Sequence, residues 1–189
     1  MRIVRPIDEV RVWSRSRTRA EEFATRAVTG GARIVVAPTA RAAVEGADVI
    51  CTVTSSREPV LLGDWLSPGV HVNAVGASLA TARELDSAAI ARARFFADRR
   101  ESTLNESGDF LVPKRDGLIA DDHIVGEIGE LLLDPPRVVG RRSAEEVTVF
   151  KSLGLAIEDV AAAHRIYARA VETGAGTWVE LGGLRDAHA

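Results

Sequence analysis

The stretch Val70–Asp86 reads VHVNAVGASLATARELD, and its first residues are an apolar run with the alternation of a buried strand. The run stops at Asn73 and passes through Ala-Val-Gly-Ala-Ser towards an acidic cluster that predicts a helix across Glu84–Ala91. Small residues at the carboxyl end of a strand leave room for a flat ring against the backbone, and ligands of open α/β sheets sit at that end. The segment predicts the floor of a nucleotide site.

Working outward, Glu9–Trp13, Arg33–Val36, Asp48–Val53, Val70–Val75 and Arg94–Ala97 read as short strands. Helical patterns at Thr18–Ala27, with Ala20, Phe23, Ala24 and Ala27 on one face, and at Pro38–Val44 lie between the first of them. Gly30-Gly31 and Gly46 end those helices, and Gly63–Pro68 reads as a turn. Strands separated by helical patterns in this way predict βαβ units and a parallel sheet. Before them, MRIVRPI reads as the last turn of a preceding element, because Pro6 breaks it at once. After Asp98 the pattern is looser: a helix near Glu101–Asn105, a loop Gly108–Gly117, an apolar helix His123–Leu133, a strand Val147–Phe150, and a long amphipathic helix about Leu153–Val171.

The 189 residues carry 46% hydrophobic and 27% charged positions, which suits a globular protein with a real core. A formal net charge of −3 argues against a nucleic-acid partner. No apolar run is long enough to span a membrane and the N-terminus is too polar for a signal peptide, so a cytoplasmic protein is expected. Cys51, the only cysteine, sits in the apolar run DVICTV and reads as a small buried hydrophobe. His71, His123, His164 and His188 lack metal-ligand spacing, so no metal site is expected. The runs Arg99–Glu101 and Arg141–Glu146 read as exposed charge, and Glu158 and Asp159 as a solvated or paired helix face.

At VHVNAVGAS, ARELD, ESGD, EIGELL and TVFKSLGLAIEDVAAA the chain resembles the ornithine cyclodeaminase/mu-crystallin family, in the right order from Val10 to about Ala170. The resemblance implies a Rossmann-like NAD(P)-binding domain over residues 1–150, with 151–189 a C-terminal helix and tail that pack on a substrate and dimerisation domain. It implies hydride transfer from a reduced nicotinamide to a cyclic imino acid, of ketimine or pyrroline-2-carboxylate type, and assembly as a homodimer. Cyclodeaminase-type members carry an aspartate where this chain has Ser78, as a base at the substrate α-carbon. A serine cannot serve as that base without an activating neighbour, so Ser78 favours imine reduction over cyclodeamination. A non-catalytic NADP(H)-binding or ligand-binding protein, or a truncated remnant, stays open beside the enzyme.

The family's first strand and glycine-rich pyrophosphate loop are expected to be missing, since no G-x-G-x-x-G/A occurs in the 189 residues. In the order 3-2-1-4-5-6 that strand separates Glu9–Trp13 from Asp48–Val53. Its loss predicts a strand from elsewhere, direct pairing of the two inner strands, or a marginal fold with impaired activity.

The site residues follow from the same frame. Arg rather than an acid after the second strand favours NADP(H) over NAD(H), which assigns Ser14, Arg15, Ser16 and Arg17 to the 2′-phosphate; helix capping by Ser16 or Thr18 is the bland alternative. Thr52, Thr54 and Ser55 read either as contacts to the nicotinamide ribose or as a hydroxyl-rich turn. By pattern and resemblance Asn73, Val75, Gly76 and Ala77 fall at the nicotinamide, and Ser152 and Gly154 at its carboxamide end. Trp13 reads as core. Lys151, one of only two lysines, reads as structural or phosphate-facing rather than as an acid.

Overall fold

A computed structural model describes residues 5–27, 30–133 and 140–179. The chain divides into two compact units, Met1–Leu153 and Gly154–Ala189. The predicted start in MRIVRPI and His188 lie wholly or partly outside the described residues.

The first unit opens with β1 (Glu9–Val12), α1 (Arg17–Arg26), β2 (Arg33–Val36) and α2 (Ala40–Val44). Ser16 caps α1, accepting from Arg19 N, and Thr39 caps α2, accepting from Ala42 N at 3.0 Å. β1 and β2 form a two-stranded parallel sheet. A second, five-stranded parallel sheet is built from β3 (Val49–Thr52), β4 (His71–Ala74), β5 (Arg94–Ala97), β6 (Ile124–Glu127) and β7 (Thr148–Lys151), in the spatial order β3-β4-β7-β5-β6. Among the described residues β1 does not pair with β3. The direct pairing offered as one outcome of a missing central strand does not occur.

Beneath this sheet lie α3 (Ser87–Arg92), α4 (Arg100–Glu106) and α5 (Gly108–Arg115). Ile50, Val72, Ala74, Val149, Phe95 and Ala97 join Leu61, Leu85, Ile90 and Phe110 in one core. Phe95 and Phe110, both without solvent exposure, meet at 5.3 Å between ring centres. The opposite face carries Cys51, Asn73 and Phe150, none of them buried.

Several expectations are corrected. Cys51 is exposed, because β3 is an edge strand and Cys51 lies on its less covered face. The simple order 3-2-1-4-5-6 puts Arg94–Ala97 beside the fourth strand; β7 lies there instead, paired to both β4 and β5. The helix expected from Glu84 starts at Ser87: Asp86 is its cap, accepting from Ala89 N at 2.8 Å, while Leu85 bridges Leu61 as extended chain. Gly108–Gly117 is not a loop, since burial of Phe110 holds α5 together with Pro113 inside it. The helix expected over His123–Leu133 divides into a 3-10 turn at Asp121–His123, β6, and α6 (Ile128–Leu133), because Ile124 is buried in register with Phe95. Trp13 is only half-buried.

The second unit carries α7 (Ala156–Thr173), which ends at Gly174 in the left-handed region with φ 62°. Glu158 and Asp159 lie in its first turn, where negative charge complements the helix dipole. Among the described residues no helix is long and apolar enough to cross a membrane.

Replacing Phe110 by Ala removes the ring that closes the core against Phe95. Urea unfolding of the variant is expected to show a loss of about 3–5 kcal/mol.

Candidate functional site

At the carboxyl edge of the five-stranded sheet the chain leaves β3 through Val53–Ser56, leaves β4 through Val75–Ser78, and leaves β7 through Ser152. These ends are held together from below by Glu84, which has no solvent exposure. Its carbonyl accepts from Val60 N and Leu61 N at 2.8 and 2.9 Å, fixing the residue beneath the sheet. Its carboxylate then reaches up: Oε1 accepts from Thr54 N at 2.5 Å and Oε2 from Gly76 N at 2.8 Å. One side chain thereby ties the outlet of β3 to the outlet of β4.

Gly76 is required by this closure. A Cβ there would stand 2.1 Å from Thr54 O and 2.6 Å from Glu84 Oε1. The room left by its missing side chain is filled by Thr54, not kept open for a ring as the sequence suggested.

A second carboxylate supports the first. Asp109 Oδ1 accepts from Glu84 N at 2.8 Å and from Leu85 N at 2.9 Å. Its Oδ2 lies 3.0 Å from Lys151 Nζ, and that ammonium also donates to Ala77 O at 2.6 Å. Asp109 and Lys151 are both fully buried, which is tolerable because each meets several polar partners. Lys151 is therefore structural; it faces a carboxylate and a carbonyl, not a phosphate. Asp98 performs the same service on the far side, where its Oδ1 accepts from Arg99 N at 2.6 Å and its Oδ2 from Leu153 N at 2.5 Å. Ser152 N donates to Ala74 O at 3.0 Å.

The residues singled out in the sequence fall into two groups. Thr52, Thr54, Asn73, Val75, Gly76, Ala77, Ser78 and Ser152 all lie at the carboxyl edge of the five-stranded sheet, with Ser55 exposed beside them. Ser78 is exposed, Ala77 is buried, and Thr52 Oγ1 is buried without a hydrogen-bond partner among the described residues. Ser14, Arg15, Ser16 and Arg17 follow β1, and among the described residues no hydrogen bond joins them to the five-stranded sheet. Ser16 is the cap of α1, Arg17 pairs with Glu21 at 2.7 Å, and Arg15 is exposed and unpaired among the described residues. Gly154 belongs to the second unit, with φ 89° and no atom where its Cβ would stand.

The sequence assigns no site role to Glu84, Asp109 or Asp98, although ARELD and ESGD, which hold the first two, are among the motifs that carry the resemblance; most of their partners are backbone amides of residues far along the chain. Arg141 is exposed, as expected, and its guanidinium in addition donates to Gly69 O, to Ala144 O at 3.3 Å and to Thr148 Oγ1 at 3.2 Å.

On the other face of β4, His71 Nδ1 lies 2.8 Å from Thr148 Oγ1 and Nε2 lies 3.3 Å from Asn73 Oδ1. Burial, with a smaller contribution from the Arg141 charge, holds His71 below the usual histidine range, against a hydrogen bond to Asn73 that raises it. Among the described residues no three His, Cys, Asp or Glu side chains are grouped to hold a metal.

A parallel sheet with buried carboxylates under its carboxyl edge defines a Rossmann-like α/β protein with its candidate site at the strand outlets. The chain belongs to the ornithine cyclodeaminase/mu-crystallin family, whose sequence profile matches residues 1–174. It is 46% identical over 161 residues to the ketimine reductase mu-crystallin of Rattus norvegicus, covering 84% of this chain and 46% of that protein. It is 38% identical over 180 residues to a Delta(1)-pyrroline-2-carboxylate reductase of Bacillus cereus, covering 94% of this chain and 54% of that protein. Among solved structures it matches the Thermococcus litoralis Delta(1)-pyrroline-2-carboxylate reductase in complex with NADH and L-proline, with TM-score 0.88 and 38% identity over 94% of this chain and 55% of that one. An archaeal alanine dehydrogenase dimer with bound NAD matches with TM-score 0.83 and 32% identity, covering 96% of this chain and 55% of that one. The chain thus spans about half the length of these relatives.

Two outcomes follow. Glu84→Gln sets an amide N–H₂ against either Thr54 N or Gly76 N and is expected to cost about 1–3 kcal/mol in denaturant unfolding. Because the folded state disfavours protonated His71, its contribution is complete above the unfolded value of 6.5 and is lost as pH falls below it. A His71→Asn variant should show a smaller stability loss than the parent between neutral and mildly acid pH.

Proposed function

We propose that this chain forms the nicotinamide-nucleotide-binding part of an NAD(P)H-dependent reductase of cyclic imino acids, of the ketimine or pyrroline-2-carboxylate type. The observation that carries the reading is that, among the described residues, the carboxylates at the strand outlets are engaged by backbone N–H groups. Ser78 stands exposed where cyclodeaminase-type relatives carry an aspartate, and the carboxylates of Glu84 and Asp98 are occupied by backbone N–H groups. A site without a free carboxylate suits reduction of an imine better than removal of an α-proton.

The residues fit a reduced nicotinamide. Val53 and Val75 are 70% and 43% exposed at the outlets of β3 and β4, giving apolar contact for a ring, with the exposed Ser55 and Ser78 beside them. When bound, the nicotinamide supplies a hydride to the imine carbon while the C=N electron pair moves to nitrogen, which takes up a proton. Ser78 offers a hydroxyl to the substrate or cofactor; Thr52, Thr54, Asn73, Gly76, Ala77 and Ser152 shape the same strand outlets. In this reading the whole protein is a homodimer.

NADP(H) is favoured over NAD(H). Arg15 is exposed and unpaired among the described residues, and the Arg17–Glu21 pair is more than half exposed on both sides. Such surface pairs are worth about 0–1 kcal/mol, so Arg17 can turn to a 2′-phosphate at little cost.

Titration of tryptophan emission with NADPH and with NADH tests this directly. NADPH should bind more tightly, and Arg15→Ala should weaken NADPH about tenfold while leaving NADH unchanged; tighter binding of NADH contradicts the assignment of Arg15 and Arg17. Loss of reduced-nicotinamide absorbance with a cyclic imino acid, and no ammonia from ornithine, is the expected activity of the whole protein.

A further inference from the structure

The loop after β4 is gripped from inside at two backbone atoms of opposite kind. Glu84 Oε2 accepts from the N–H of Gly76, which also donates to Thr52 O at 3.2 Å, and Lys151 Nζ donates a hydrogen bond to the carbonyl of Ala77. All peptide bonds described are trans, so within each peptide unit the C=O and N–H point in opposite directions. With Gly76 N–H turned down to Glu84, the carbonyl of Val75 in the same unit is turned away from the core. With Ala77 C=O turned down to Lys151, the N–H of Ser78 is likewise turned away. Neither outward group has a partner among the described residues, whereas Thr54 N, Gly76 N and Ala77 O all do. Val75 and Ser78 are also the exposed residues of this loop, and Ala77 between them is buried.

We infer that Lys151 and Glu84 are positioning residues: they set two peptide planes so that Val75 C=O and Ser78 N–H face the bound ligand as one fixed acceptor and one fixed donor. Neither side chain touches the ligand, since both are fully buried. Asp109 completes the device, because it neutralises Lys151 and holds the backbone of Glu84 and Leu85. Fixing these planes before binding removes an ordering cost that a free loop meets on association. The inference rests on the reading of the β4 outlet as the nicotinamide end.

The test uses the full chain, isotopically labelled, followed by amide hydrogen exchange in NMR and by NADPH titration. In the parent, the amides of Thr54 and Gly76 should exchange slowly and that of Ser78 fast, with the Ser78 amide among those most shifted by NADPH. Lys151→Met keeps the bulk but not the donor. It is expected to broaden or displace the Ser78 amide and to weaken NADPH about tenfold, at temperatures where circular dichroism shows the chain folded. A second variant guards against simple misfolding: Lys151→Cys in a Cys51→Ser background, aminoethylated while unfolded and then refolded, rebuilds a lysine-like ammonium and should restore both readings. An unchanged Ser78 amide and unchanged affinity in folded Lys151→Met overturn the inference, as does failure of the rebuilt ammonium to rescue them. If the parent binds no nicotinamide nucleotide, the proposed function fails, while the exchange rates of Ser78 and Gly76 still decide the orientation of the two planes.

Discussion

A carboxylate taken wholly out of water is stable only when its oxygens meet donors as good as the water they left. Glu84 meets that condition with the N–H groups of Thr54 and Gly76, and in doing so it fixes the distance between the outlets of β3 and β4. The rest of the edge is arranged around this bond. Gly76 has no side chain because Thr54 occupies the space, Asp109 holds the backbone of Glu84, and Lys151 balances Asp109 while gripping Ala77. Removing the carboxylate of Glu84 or Asp109, or the ammonium of Lys151, takes a partner from another polar group of this edge, so these three side chains act together.

The periodic parts of this architecture were legible in the sequence. The sequence pattern marks Arg33–Val36 and Arg94–Ala97 to the residue, and β1, β3, β4 and β7 to within one, because short apolar runs bounded by turns carry a local signal. The parts that failed depend on contacts made far along the chain. Gly108–Arg115 is a helix because Phe110 needs burial, although glycine and proline argue against one locally. Ile124–Glu127 is a strand because β5 offers an edge to pair with. β7 lies between β4 and β5 although it comes last of the strands, and no local pattern predicts such an insertion. The placement of Asn73–Ser78 at a strand outlet was readable, but the buried acids beneath it were not. Glu84 looked like the first turn of a helix, and only its remote amide partners reveal its role.

The family relationship and the geometry bear on function in different ways. The sequence of this chain is that of an ornithine cyclodeaminase/mu-crystallin family member, and the relatives named above include ketimine and pyrroline-2-carboxylate reductases. The geometry adds that the nearest carboxylates are committed to structure, which leaves the exposed Ser78 as the polar side chain at the outlet of β4.

If the Glu84-tied outlets of β3 and β4 form the seat of a reduced nicotinamide, a crystal structure of the chain with NADPH will show the ring against Val53, Val75 and Ser78, with Glu84 still bonded to Thr54 and Gly76. A nucleotide bound elsewhere, or a β4 outlet rearranged so that Glu84 no longer holds Gly76, would contradict it.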